Sequence, residues 1–177
     1  MTAHSNFKAL IRARMAETGQ NFTSARADLI AERRAEFAAR TESALAEHRT
    51  VVQRFSDGAR FTTWPAKRRS RAHALLFLVN FFIPGRTYTE PEVNEILGAL
   101  WSDFAFLRRE LVEYGYLERD ARGNYWLATQ LESRAGTVLH NEAPEWEELW
   151  LPDYLAGRAA PVDFAPVRQA PSKADLA

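Results

Sequence analysis

Residues 60–127 constrain the fold of this chain more than any other stretch, because their punctuation leaves one order of elements. Pro65 opens a helix at its first turn, and the run PAKRRSR (Pro65 to Arg71) puts cations in that helix's first two turns. Ala72, Leu75, Leu76, Leu78, Val79 and Phe82 fill the remainder, so the helix is basic at one end and buried at the other. Pro84 and Gly85 end it, and Arg86 to Tyr88 form a short strand. Thr89 then caps a helix with Pro91 and Glu92 in its first turn and an apolar face of Val93, Ile96, Leu97 and Leu100. A further helix carries Phe104, Leu107, Leu111 and Tyr114 and stops at Gly115. Tyr116 to Arg119 and Tyr125 to Leu127 are strand-like, joined by the turn residues Asp120 to Asn124.

Helix, strand, helix, helix and hairpin, in that order, predict a mainly α fold with a small β component. Specifically, they predict a winged-helix (helix-turn-helix plus β-hairpin) domain with an N-terminal helical extension. In the extension, Ser5 or Asn6 caps a short helix faced by Phe7, Leu10, Ile11 and Met15 and ended by Gly19. Thr23 caps a second helix that runs without proline or glycine to about Phe55. At 1.5 Å per residue such a helix reaches ~45 Å, more than a small core covers, so a partner is expected, with a homodimer one candidate. Ser56, Asp57 and Gly58 break the chain, and ARFTTWP alternates as a short strand. The expected domains are therefore a helical extension (1–55), a winged-helix-like domain (56–128), an acidic and aromatic docking segment (129–156) and a disordered Pro/Ala tail (157–177).

Composition narrows the function classes. Lys plus Arg and Asp plus Glu number 23 each, so any electrostatic function is local. The chain has no cysteine, which excludes disulfides, thiolate metal sites and a cysteine nucleophile, and favours a cytoplasmic setting. No signal-peptide core is expected at the N-terminus. The run from Ala74 to Ile83 is far shorter than the roughly 20 residues of a bilayer span, so no membrane partner is expected. His4, His48, His73 and His140 stand apart with no pair at ligand spacing, and no metal or other cofactor is predicted. The chain has no Gly-rich phosphate loop, no G-x-S-x-G turn and no H-E-x-x-H, so it does not read as an enzyme.

The FSDGARFTTWPAKRRSR, GRTYTEPEVNEIL and LRRELVEYGYLERD segments, followed by the GNYWL strand, resemble the bacterial domain of unknown function 2087 over about residues 54–127. That resemblance implies a winged-helix-like domain of a kind often found in transcriptional regulators, where it can follow a separate helix-turn-helix domain. Residues 1–55 depart from that layout, reading as a helical extension.

Charge placement nominates a nucleic-acid interface, with DNA favoured over RNA. Residues 54–73 hold six Lys or Arg against one Asp, and cations at a helix N-terminus oppose its dipole. Lys67, Arg68, Arg69 and Arg71 are therefore candidate phosphate contacts, whose binding would release counterions. The second helix of the helix-turn-helix presents Arg109 to a groove, and Arg119 and Arg122 reach phosphates from the wing. Against this, residues 90–118 hold seven acids and two arginines. Arg108 and Arg109 equally suit ion pairs with Glu92, Glu95 or Glu110. Trp64, Tyr88, Trp101 and Trp126 suit core packing better than base stacking.

The segment EAPEWEELWLPDYL (residues 142–155) joins five acids to a face of Trp146, Leu149 and Trp150. Three uses fit it: packing on its own core, covering the basic run in cis as an autoinhibitor, or docking a partner. A protein-interaction adaptor, using the long helix and this segment with the winged helix as scaffold, is therefore the alternative to a nucleic-acid-binding regulator.

Overall fold

The computed structural model describes residues 3–57, 60–131 and 142–164. Its helices are α1 (Ala3–Thr18), α2 (Phe22–Gln53), α3 (Arg68–Val79), α4 (Glu90–Leu100), α5 (Phe104–Glu113) and α6 (Glu145–Leu155). The strands β1 (Tyr88–Thr89), β2 (Leu117–Arg119) and β3 (Asn124–Leu127) make one antiparallel sheet ordered β1-β3-β2. Tyr88 faces Tyr125 across it and Leu117 faces Leu127. The protein is thus mainly helical with a small β component.

It divides into two compact units, Met1–Ser43 and Ala44–Ala177. In the first, α1 and the beginning of α2 bury Ile11 and Ala25. Arg14 forks onto both oxygens of Glu32 at 2.7 and 2.8 Å, and the Arg33 guanidinium lies 4.6 Å from the centre of the Phe7 ring. The α2 cap is Asn21, whose side chain accepts the Ser24 amide at 2.9 Å, rather than the expected Thr23. Every residue from 31 to 40 is exposed, Phe37 among them.

The second unit takes in the last turns of α2, where Ala44, His48 and Val52 are buried. The boundary expected at residue 56 therefore falls earlier, because these turns carry an apolar face that the core absorbs. That core gathers all of α3 from Ala72 to Val79 with Val93, Leu97, Leu107, Leu111, Tyr116 and Tyr125. Local chemistry sets the element ends. Thr89 and Glu92 form a reciprocal capping box at α4, and Asp103 caps α5 by accepting the Phe106 amide at 3.0 Å. Gly115 and Gly123 take φ of 77° and 83°, a conformation that a Cβ opposes, to end α5 and to turn the hairpin. The Asp120 carboxylate holds that turn, accepting the Arg122 and Asn124 amides at 2.9 Å each.

Three expectations are corrected here. The helix expected over 65–82 begins at Arg68 and ends at Val79, because the preceding chain is claimed by tertiary contacts. The Phe61 amide donates to the Leu100 carbonyl at 2.9 Å, and the Trp64 ring packs edge-on against Phe61 and Phe106. The strand expected in ARFTTWP is reduced to a single bridge between Ser56 and Phe61. Residues 157–164, expected as the start of a disordered tail, lie on the core. The Val162 amide donates to Asn80 Oδ1 at 2.6 Å, Trp150 Nε1 to the Ala160 carbonyl at 3.1 Å, and Arg49 to the Asp163 carbonyl at 3.0 Å, with Phe164 buried. The rest of the expected tail, residues 165–177, lies outside the described residues.

Candidate nucleic-acid interface

The basic run enters α3 at its first residue. Lys67 occupies the N-cap position with extended backbone and no side-chain cap, so Arg68 and Arg69 begin the helix itself. Carboxylates from three other parts of the chain meet these arginines. Arg68 lies 3.6 Å from Glu142, Arg69 3.0 Å from Glu47 on α2, and Arg71 3.6 Å from Glu110 on α5. The side chains of Arg68 and Arg69 nevertheless stay 70% and 64% exposed. Pairs of that kind contribute about 0–1 kcal/mol, weak enough for a competing phosphate to replace the carboxylate.

A second group of cations sits where α5 faces the hairpin. Arg108 is fixed there: it is ion-paired to Glu90 at 2.9 Å, hydrogen-bonded to Asn94 Oδ1, and placed 5.8 Å from the centre of the Tyr125 ring. Beside it, Arg109 on α5 and Arg119 on β2 are exposed and make no ion pair among the described residues. Both line one recess of about 280 Å³ with Arg108, Val112, Glu113 and Tyr125. Arg122 sits in the hairpin turn, exposed, beside the Asp120 carboxylate. Hydrogen bonds from Asn124 and Arg122 hold that carboxylate below its ordinary range. The pairing expected for Arg108 and Arg109 with Glu92, Glu95 or Glu110 is replaced: Glu92 pairs with Arg86 at 2.9 Å, Glu110 with Arg71, and Glu90 takes Arg108.

Of the three uses that fit the face of Trp146, Leu149 and Trp150, packing on its own core is the one observed, since these side chains lie on the core side of α6. Trp146 and Trp150 are 6% and 5% exposed and stacked at 6.0 Å, and Leu149 is partly buried against the same cluster. The Tyr154 hydroxyl donates to the Phe82 carbonyl at 2.7 Å, and the Tyr116 hydroxyl bonds the buried Glu147. Glu142 of the acidic segment lies against Arg68 of the basic run.

One pairing overturns the expectation of isolated histidines. His48 and His73, 25 residues apart, meet through their Nδ1 atoms at 2.9 Å with rings stacked at 5.2 Å, and both are buried. One imidazole donates and the other accepts, which requires the acceptor to be neutral, and neither Nε2 has a partner among the described residues. Burial pushes His48 down to about 3, with His73 and Arg49 adding to the effect. Burial likewise pushes His73 down to about 4, with Arg69 adding to the effect and Glu47 opposing it. The available sequence signal was His48's place in the apolar stripe of α2 beside a buried-face His73. Among the described residues, no group of three or more His, Asp or Glu side chains is placed to hold a metal ion. No described helix is long and apolar enough to cross a membrane.

With this geometry in place, comparison with known proteins assigns one segment. Residues 60–127 match DUF2087, an uncharacterized protein conserved in bacteria. The DUF2087 segment runs from the Phe61 anchor through α3, α4 and α5 to the end of β3, so it contains Lys67 to Arg71 and all of Arg109, Arg119 and Arg122. His73 lies inside the DUF2087 match, and His48, α1, α2 and α6 lie outside it. No curated protein and no solved structure matches the chain.

Proposed function

We propose that the DUF2087 segment and its flanks form a winged-helix module that binds nucleic acid, DNA in preference to RNA, in a bacterial regulator. The order α3, β1, α4, α5, β2, β3, with β1 paired to β3, supports this reading. In this reading α5 is the second helix of the helix-turn-helix and the β2–β3 hairpin is the wing.

The observation that carries the reading is the contrast among arginines. Arg68, Arg69, Arg71, Arg86, Arg108 and Arg158 each have a carboxylate partner, whereas Arg109 and Arg119 converge on one recess without one among the described residues. Unneutralised guanidinium groups on adjoining elements suit phosphate oxygens. The acid surplus of α4 and α5 disfavours deep insertion into the major groove, so contacts with the phosphate backbone dominate this mode. Lys67, Arg68 and Arg69 extend the positive surface by exchanging weak internal pairs for phosphates, and Arg122 adds a contact from the wing tip.

Fluorescence anisotropy of a labelled random duplex tests the proposal with two variants, Arg109→Glu/Arg119→Glu and Lys67→Glu/Arg68→Glu/Arg69→Glu. Both are expected to weaken binding at least tenfold at low salt. Unchanged binding in the first variant would overturn the assignment of the α5 and hairpin face.

A second reading, contact with a protein partner through α2, is favoured by the full exposure of residues 31–40, Phe37 included. A second copy of the chain is the simplest partner. Light scattering coupled to size exclusion distinguishes a dimer that Phe37→Asp dissociates from a monomer.

A further inference from the structure

The recess between α5 and the hairpin holds more charge than its own residues neutralise. Arg108, Arg109 and Arg119 bring three guanidinium groups to it, while Glu113 in its wall and Glu90 on Arg108 bring two carboxylates. One positive charge is left over. Arg108 is pinned by Glu90, Asn94 and Tyr125, so the uncompensated charge sits on Arg109 and Arg119, from α5 and β2 respectively. The remaining lining is half-buried Val112 and buried Tyr125, whose ring Arg108 covers, so the apolar surface on offer is Val112 and the hydrocarbon stems of the arginines. Ligand sites combine largely apolar walls with a few convergent polar groups, and at about 280 Å³ this one is near the small end of their range.

We propose that this recess is a binding site for a small organic monoanion, a carboxylate bearing a ring or short hydrocarbon part. Arg109 and Arg119 hold the carboxylate, each able to present two N–H donors to its oxygens. The hydrocarbon part rests on Val112 and on the hydrocarbon stems of Arg109 and Arg119. Glu113 in the wall selects against a second negative charge, which disfavours inorganic phosphate, a mixture of monoanion and dianion at neutral pH. The inference goes beyond nucleic-acid binding but uses two of the same arginines, so where both hold, ligand and nucleic acid compete.

Isothermal titration of the full chain, with no nucleic acid present, tests it using benzoate, benzamide and inorganic phosphate as probes. Benzoate is expected to bind saturably with one site per chain. Benzamide, the same shape without the charge, is expected to bind at least tenfold more weakly, as is phosphate. Arg109→Ala/Arg119→Ala is expected to lose at least tenfold in benzoate affinity while keeping its far-ultraviolet circular dichroism and thermal midpoint, since both side chains are exposed. The proposal is overturned by an absence of saturable benzoate binding up to about 10 mM, well above the ~1 mM scale of weak complexes. Equal affinity for benzamide or phosphate, or full benzoate affinity in the folded double variant, overturns it equally. Because no nucleic acid enters the titration, its outcome is independent of the anisotropy result.

Discussion

Acidification from pH 7 to pH 5 should remove a large part of this protein's stability through His48 and His73. Both folded-state values lie below the ordinary histidine value near 6.5, at about 3 and about 4. A depressed histidine disfavours the charged form in the fold, so its stability contribution is complete above about pH 6.5 and is lost as pH falls toward 4. At pH 5 the unfolded chain carries nearly one proton on each ring and the folded chain almost none. Linkage then gives a loss of about 2 kcal/mol per histidine between pH 7 and pH 5, or about 4 kcal/mol for the two. Against a typical total of roughly 5–15 kcal/mol, that is a major fraction. Urea unfolding followed by tryptophan fluorescence at both pH values measures it. The double variant His48→Leu/His73→Phe, which keeps the site apolar, should show a much flatter dependence whatever its absolute stability. A wild-type loss under about 1 kcal/mol, or an equal loss in the double variant, would refute the reasoning. Imidazole nitrogen chemical shifts give a separate check: two neutral rings sharing one Nδ1 proton are expected at pH 7.

Three further outcomes follow from the packing. Thr89→Ala removes one half of the α4 capping box and should lower stability by about 1 kcal/mol in a thermal melt. Gly123→Ala should cost about 1–2 kcal/mol because its φ is 83°, although a Cβ there would meet no atom within 4 Å. Trp150→Ala should cost about 3–5 kcal/mol in urea unfolding, because its indole is core and bonds the Ala160 carbonyl. A stability change below about 1 kcal/mol would return this side chain to the docking role.

The legible parts of the fold were those set by local chemistry. Thr89 with Glu92, and Gly115, mark helix ends, while Asp120 and Gly123 mark the turn, through interactions between residues at most four apart in sequence, so the order from α4 to β3 could be read directly. The start of α3 could not, because Pro65 signals a first helical turn while Phe61 and Trp64 hold the preceding chain to Leu100 and Phe106. Residues 157–164 misled through composition: proline and alanine suggest disorder, but Asn80, Trp150 and Arg49 supply the hydrogen bonds that pin them. The candidate site was half legible. The basic run was evident, but its partners Glu47, Glu110 and Glu142 come from three distant segments that only folding brings together. The contact between His48 and His73 was hidden for the same reason, since it exists only once the end of α2 lies on α3.

The salt dependence of duplex binding tests the central claim most directly, with wild type and Arg119→Ala titrated at several salt concentrations between about 50 and 200 mM. Each phosphate contact contributes a slope of about −0.9 to log K against log salt. The account predicts salt-sensitive binding by the wild type and a slope shallower by about 1 in Arg119→Ala, with affinity reduced uniformly across sequences. Wild-type binding that is absent at low salt, or a slope that Arg119→Ala leaves unchanged, would contradict it.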